Sequence, residues 1–481
     1  MSIPRHSLPL VEELVPAPDP WELFHNLAGL PYPLFLDSAL PHAEWGRYSF
    51  ICADPFAVLR ARGRQVWWSG AEAVATSGDP WHLLAERLAR WPAPTLPDLP
   101  PFQGGAAGLF GYDLCHHLER LPRPRRDEFQ VPDLVVGLYD WVLAFDHAKR
   151  QAWIISTGRP AAAAARRDRA ARRLAWVRQR VREERAPPAR RAAPAVALPP
   201  AFPVPGLPGL LSNFDRDTYL RTIRRAIDYI HAGDCFQVNL AQRLLYPGPL
   251  DPLRVYGRLR ARNPAPFAGY FDMGDFLIAS ASPERFLRMR QREIETRPIK
   301  GTRPRGATPD EDQRLKEELA DSAKDRAENV MIVDLLRNDL GRVCQYGTIE
   351  VPEVCRVETY QYVHHLVSVV RGRLRAELGP VDLMRAAFPG GSVTGAPKVR
   401  AMQIIAELEP TARGPYCGCL GYIGFDGGMD TNILIRTLTI GRGWVQFPVG
   451  GGIVADSDPE REYEETWHKA RGLLRALEEG E

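Results

Sequence analysis

Up to about residue 157 the apolar positions come in short runs broken by Gly, Pro or Asp. PYPLFLDSA, GRYSFICADPFAVLRARG, RQVWWSG, DLVVGLYDWVLAFD and QAWIIST each set β-branched and aromatic residues between such breaks, which is the pattern of strands. WHLLAERLARW has helical spacing and predicts a helix between two of them. PFQGGAAGLFGYDL has too many glycines for a regular element and is expected to pack backbone against backbone.

From Ser212 onward helical and strand periods alternate. SNFDRDTYLRTIRRAIDYIHAGD predicts a capped helix with Ile223, Ile227 and Ile230 on one stripe. CFQVNLAQRLLY is a strand, followed by a helix ending near Arg262. GYFDMGDFLIASASPERFLRMR reads as a hairpin, and REIETRPIKGTRPRG as the next strand and turn. PDEDQRLKEELADSAKDRAENVMIVDLLRNDLGRVC is helical in two parts that meet near Ser322, and CRVETYQYVHHLVSVVRGRL is largely strand. FPGGSVTGAPKVRAMQIIAELEP is a glycine-rich loop entering a helix. CGCLGYIGFDGGMDTNILIRTLTI and GWVQFPVGGGIV are strands, and DPEREYEETWHKARGLLRALEE closes the chain as a helix. No internal repeat is evident. Between the halves lie an Arg/Ala-rich helix, over 159–186, and a proline-rich connector. The chain therefore divides into 1–158, 159–211 and 212–481.

Composition narrows the class. The 481 residues, 45% hydrophobic and 25% charged, suit a soluble globular protein with a large core. A net charge of +3 gives no general reason for nucleic-acid binding. The basic helix is the exception, but Glu183 and Glu184 dilute it and Trp176 is its lone aromatic residue. Seven scattered cysteines without a CxxC pair argue against a disulfide framework or a thiolate zinc site. MSIPRHSLPLVEELVPAPDPW has no apolar signal core, and no run is long enough to span a bilayer, so a cytoplasmic protein is expected.

Four features could carry chemistry. Lys300 sits in RPIKGTRPRG, between Pro298 and Pro304 and near Arg297, Arg303 and Arg305. It is either a surface cation for an acidic ligand or a nucleophile favoured by neighbouring positive charge. Asp321, Asp325 and Glu328 fall at i, i+4 and i+7, while Glu462, Glu465 and Lys469 share a face of the last helix. Carboxylates from two helices, completed by water and substrate, suit Mg2+, although such faces are also common on solvated helices. GGSVTGAPK opens a helix with Pro397 suited to N1. It lacks the Walker A spacing, so its free N–H groups fit a carboxylate better than a phosphate. Arg436, in an apolar strand, needs an anion if buried, and Gly450, Gly451 and Gly452 allow close approach to the backbone.

SASPERF, RPIKGTRPRG, KDRAENVMIVDLLRNDLGR, VHHLVSVVRG, GSVTGAPKVRAMQIIAELEP, the GGGIV strand and YEETWHKA occur in that order. Together they resemble the chorismate-utilising enzymes, which include anthranilate synthase component I, aminodeoxychorismate synthase component I, and isochorismate and salicylate synthases. The resemblance implies the α+β fold of anthranilate synthase component I, with antiparallel β-sheets packed as a sandwich and helices outside. It implies that Glu328 and Glu465 bind Mg2+, which holds the ring carboxylate of chorismate. Glu284 matches the general acid that protonates the departing C4 hydroxyl. His365, Arg436 and Lys469 match residues lining the substrate site. Gly395 and Ala396, with Gly450, Gly451 and Gly452, match its backbone contacts.

Two positions separate the family's members. Water-adding members carry a lysine base where this chain has Gln237, which argues against an isochorismate synthase. At Lys300, anthranilate synthases usually read PIAGT and aminodeoxychorismate synthases PIKGT. The resemblance therefore implies Mg-dependent amination of chorismate to 4-amino-4-deoxychorismate through a covalent Lys300 intermediate, in para-aminobenzoate and folate synthesis. Anthranilate synthase component I is the alternative. CGCLG superficially resembles the nucleophile elbow of glutamine amidotransferases, but Cys417 replaces its first glycine and no His-x-Glu pair follows. Ammonia is thus expected from a separate glutamine amidotransferase subunit. FLDSALPHAEWGRYSF with NPAPF resembles the family's tryptophan pocket, mapping to Ser38, Trp45, Gly46, Arg47, Tyr48, Pro266, Phe267 and Ala268. FLDS departs from the LLES of feedback-inhibited members, so tryptophan is expected as a structural ligand rather than a strong inhibitor.

Overall fold

A computed structural model describes the chain except for residues 1–7, 41, 43–44, 71–72, 184–193, 249, 361–362 and 479–481. The alternating runs form two large sheets. The first is ordered Leu10–Leu14, Gln151–Ser156, Trp141–Asp146, Tyr48–Cys52, Leu34–Asp37, Phe267–Asp272, Phe276–Ser282, Thr437–Gly441, Trp444–Ile453, Gln237–Pro247, Leu211–Ser212 and Phe202–Pro203. The second runs Ile299–Pro304, Val363–Arg373, Glu293–Thr296, Arg285–Arg290, Met429–Asn432, Cys419–Gly424, Gly105–Phe110, Leu134–Tyr139, Ala57–Arg62, Gln65–Ser69 and Val74–Ser77. Strands from either side of the connector interleave in both sheets. Leu34–Asp37 pairs antiparallel with Phe267–Asp272, and Gly105–Phe110 with Cys419–Gly424.

Period-two alternation decides how the sheets stack. Phe50, Cys52, Val142, Ala144, Trp153 and Ile155 point toward the second sheet and meet Val58, Leu109, Val135 and Tyr139 there. Their neighbours Ile51, Leu143, Phe145 and Ile154 face outward, under helices Pro20–Leu27, Ala163–Arg182, Pro252–Arg262 and Pro459–Leu477. The outer face of the second sheet is covered by Pro80–Ala89, Ala323–Gly341, Pro380–Ala387 and Lys398–Leu408. The architecture is the expected α+β sandwich with helices outside.

Two expectations change. The glycine-rich stretch contains a regular strand, Gly105–Phe110, wholly buried between two partners. The reason for its glycines is close backbone packing all the same: a Cβ on Gly105 would lie 2.3 Å from the Ile423 carbonyl oxygen, and one on Gly108 2.2 Å from that of Val135. The basic helix, Ala163–Arg182, uses part of its arginines within the molecule while Arg167, Arg172 and Arg182 stay exposed. Arg169 and Arg173 reach the fully buried Asp140 at 3.2 Å each, and Arg178 pairs with Glu12. Its predicted continuation beyond 183 lies outside the described residues.

Candidate active site

The edge strand Ile299–Pro304 carries Lys300 and lies against Val363–Arg373. Its register slips between Lys300 and Thr302, at Gly301, whose φ of 72° lies in the left-handed region. Lys300 Nζ then lies 3.6 Å from Glu328 Oε2, both side chains being largely buried. Glu328 comes from helix Ala323–Gly341. Ser322 ends the preceding helix, Pro309–Asp321, and caps this one by accepting from the Asp325 N–H at 3.3 Å. Asp321 therefore belongs to a different helix from Asp325 and Glu328, and the three-carboxylate face read from spacing breaks there.

Strand Trp444–Ile453 forms the opposite wall. A Cβ on Gly452 would stand 3.2 Å from Lys300 Nζ and 2.8 Å from Gln237 Nε2. On Gly451 it would stand 3.3 Å from Glu462 Oε2 and 3.6 Å from both Glu465 Oε1 and Lys469 Nζ. The glycines thus leave open the space on which two lysines and three carboxylates converge. Lys469 donates to the Gly450 carbonyl at 2.9 Å and pairs with Glu465 at 2.5 Å. Partial desolvation at the rim of the cleft pushes the half-exposed Glu465 upward, but Lys469, with Lys324 and Lys300, leaves its carboxyl below the ordinary range. Burial raises Glu462, whose Oε1 accepts from Ser457 at 2.7 Å.

Glu284 lies at the start of strand Arg285–Arg290 and is 4% exposed. Its Oε1 accepts from Ser392 Oγ at 2.7 Å, and the Ile299 N–H lies near its carboxyl. Burial lifts its pKa to about 7, opposed by Ser392, the charge of Lys300 and the Ile299 N–H. His365 shares a 2.9 Å hydrogen bond between its Nδ1 and Thr302 Oγ1. Burial, with Arg436 adding to it, lowers His365 to about 4, so it is neutral at pH 7. Arg436 has a φ of 52°, and burial pulls its guanidinium below the usual arginine value against Tyr416 and Glu465. Among the described residues no carboxylate pairs with it, which leaves a desolvated cation suited to an anionic ligand.

The loop at 390–398 is built differently from the predicted anion cradle. Gly395 and Ala396 pair with Val238 and Gln237, and a Cβ on Gly395 would lie 2.1 Å from the Gln237 carbonyl oxygen. Pro397 is the N-cap, one position earlier than expected, and the helix begins at Lys398. Lys398 Nζ turns away from the cleft to Asp339 Oδ2 and the Ala387 carbonyl, both at 2.6 Å. The arginines expected about Lys300 each meet a carboxylate of their own. Arg303 pairs with Glu318 at 2.9 Å and Arg305 with Asp312 at 2.7 Å. Arg297 pairs with Glu358 and lies over the Trp45 ring at 3.7 Å. Ser392, Thr302 and Tyr416 join the site without having been singled out from sequence. A hydroxyl within a glycine-rich loop was the available signal for Ser392.

Among the described residues, no three His, Cys, Asp or Glu side chains are grouped closely enough to enclose a metal. The donor set of Glu328, Glu462 and Glu465 is nonetheless all carboxylate, with Lys300, Lys324 and Lys469 as counter-charges. It fits a hard cation such as Mg2+ that takes its remaining ligands from water and substrate.

A separate cavity of about 580 Å³, its open mouth included, is lined by Ser38, Trp45, Arg47, Tyr48, Pro266, Phe267 and Ala268. Gly46 is not on its wall; its carbonyl accepts from the His42 N–H at 3.2 Å. Arg47 is held by Asp146 at 2.7 Å, and Ser38 Oγ donates to the Tyr48 carbonyl at 2.7 Å. Asp37 of FLDS accepts from Tyr256 and Arg260, each at 2.9 Å.

A model of the family described as chorismate binding enzyme matches residues 35–475. Aminodeoxychorismate synthase component 1 of Klebsiella aerogenes is 43% identical over 461 residues, covering 95% of this chain and 96% of that protein. Anthranilate synthase component 1 of Thermus thermophilus is 42% identical over 455 residues, covering 93% and 92%. The crystal structure of anthranilate synthase component I from Streptococcus pneumoniae TIGR4 superposes with a TM-score of 0.76 at 30% identity, covering 90% of this chain and 93% of that one.

Proposed function

The chain belongs to the chorismate binding enzyme family, and we propose that within it the protein is the synthase subunit of an aminodeoxychorismate synthase. The observation that carries this reading is Lys300, whose amine faces Gly452 and Gln237 across the cleft, where Gln237 offers no base for water. Arg436 receives a carboxylate of chorismate, and the neutral His365 lines the ring. Glu328 and Glu465 would hold Mg2+, which would supply divalent charge for the ring carboxylate. Glu328, 3.6 Å from Lys300 Nζ, stands as the counter-charge of the amine that has to be uncharged to attack.

Lys300 Nζ then bonds to C2 of the ring, the double bonds shift, and the C4 hydroxyl leaves as water with the proton of Glu284. Ammonia attacks C4, the C2–N bond breaks, and Lys300 is restored beside 4-amino-4-deoxychorismate. The burial that keeps Glu284 protonated near neutrality suits it to the acid role. Ammonia comes from a separate glutamine amidotransferase chain, and the cavity at Ser38 takes tryptophan as a structural ligand. Incubating the purified chain with chorismate, Mg2+ and ammonium tests the reading by mass and fluorescence of the product. A non-aromatic aminated product supports it. Direct release of anthranilate and pyruvate overturns it in favour of an anthranilate synthase.

A further inference from the structure

Glu284 is held from a distant part of the sequence. It lies at the head of strand Arg285–Arg290, with the Ile299 N–H nearby, and takes the hydroxyl of Ser392 from the glycine-rich loop at 2.7 Å. Ser392 is itself buried, and the loop around it has little freedom. Thr394 Oγ1 donates back to the Gly390 carbonyl at 2.9 Å, Arg413 donates to the Val393 carbonyl at 3.0 Å, and Lys398 is tied to Asp339 at 2.6 Å. A Cβ on Gly391 would come within 2.7 Å of Leu335, so the 3-10 turn that presents Ser392 is pressed against helix Ala323–Gly341.

We infer that Ser392 is a positioning residue for the acid step: its hydroxyl fixes the orientation of the Glu284 carboxyl and sets how readily it parts with its proton. The inference rests on the acid role given to Glu284. A hydroxyl that donates to a carboxyl favours the ionised form. With Ser392 in place, Glu284 is thus a stronger acid than burial alone would make it, yet still carries its proton near neutrality. The same bond engages Oε1, so the carboxyl cannot turn freely.

The test combines Ser392→Ala and Ser392→Thr with two readouts. The first is the pH dependence of kcat/KM for ammonium-dependent chorismate consumption. The second is titration of the Glu284 carboxyl, by difference infrared spectroscopy against Glu284→Gln, which needs no turnover. Ser392→Ala is expected to move the Glu284 titration, and the alkaline limb of the rate profile with it, upward by about one pH unit. It should also lower kcat more than it raises KM, and Ser392→Thr should restore both. An unmoved Glu284 titration in folded Ser392→Ala overturns the inference. A shifted titration without any shift in the rate limb leaves Ser392 bonded to Glu284 but overturns the acid role on which the inference rests.

Discussion

Lys300 and Glu328 face each other at 3.6 Å from an edge strand and a helix, each side chain largely shielded from water. Such a pair is held by its enclosure, and removing one partner leaves a charge that little else satisfies. Lys300→Ala is therefore expected to cut formation of 4-amino-4-deoxychorismate by roughly 100-fold or more, and to divert residual amination to C2. Separation of the products by mass and retention checks this. An unchanged rate and product would remove Lys300 from the role of nucleophile.

Glu284 predicts a pH dependence of stability as well as of rate. Its folded pKa of about 7 stands above the ordinary 4.5. Between those values the unfolded chain has already lost a proton that the folded chain still binds, so stability falls as pH rises through this window. Above pH 7 the full penalty, about 3 kcal/mol, is present. Glu284→Gln should thus be more stable than the parent at pH 8 and no more stable at pH 4, in denaturant titrations at both pH values. Its chorismate consumption should fall by roughly 10²- to 10⁴-fold.

Local patterning made most of the sandwich legible, because strands such as Tyr48–Cys52 and Trp141–Asp146 announce themselves by composition and breaks. It did not disclose which strands pair, since the bond between Gly105–Phe110 and Cys419–Gly424 spans most of the chain. Strand Leu10–Leu14 and helix Pro380–Ala387 were not singled out either, being short and defined by their partners. For the site, motif order named Lys300, Glu328, Glu465 and Lys469, which the fold brings close together. The electrostatics around Lys300 were not legible. Arg303 and Arg305 are near it in sequence, but helix Pro309–Asp321 offers each a carboxylate closer to hand.

Glu465 gives a test of the metal assignment that folding does not confuse. Its carboxylate is half-exposed and its pair with Lys469 is a surface-like i,i+4 contact, so Glu465→Gln should change stability by less than about 1 kcal/mol. As a Mg2+ ligand it should instead raise the Mg2+ concentration needed for half-maximal activity at least about 10-fold. Chelation should abolish activity in the parent and Mg2+ should restore it. An unaltered Mg2+ requirement in the variant would exclude Glu465 as a ligand.

The cavity at Ser38, Tyr48 and Ala268 predicts a stabilising ligand. Saturating L-tryptophan, at about 100 times its Kd, should raise Tm by about 3 °C with little effect on the initial rate of chorismate consumption. Leu36→Trp, which enlarges a side chain that lies between the sheets on the cavity wall, should remove the shift. Strong inhibition by tryptophan would instead mark the cavity as a feedback site.

Gly301 is the residue on which the aim of Lys300 depends. Its φ of 72° is strained for any residue with a side chain, and it falls where the register slips between Lys300 and Thr302. There is also no room for a side chain, since a Cβ would lie 2.8 Å from Leu319 Cδ1 and 2.9 Å from Asp325 Cγ. Gly301→Ala must therefore push the edge strand off helices Pro309–Asp321 and Ala323–Gly341 or straighten the bulge. Either response turns Lys300 away from Glu328 and Gly452 while the interior strands keep their pairing. The expected result is a loss of about 1–3 kcal/mol in stability and a much larger loss in kcat. Amide exchange should rise along Ile299–Pro304 before it rises in the core. Retention of parental kcat by a folded Gly301→Ala protein would show that the bulge does not set the position of Lys300.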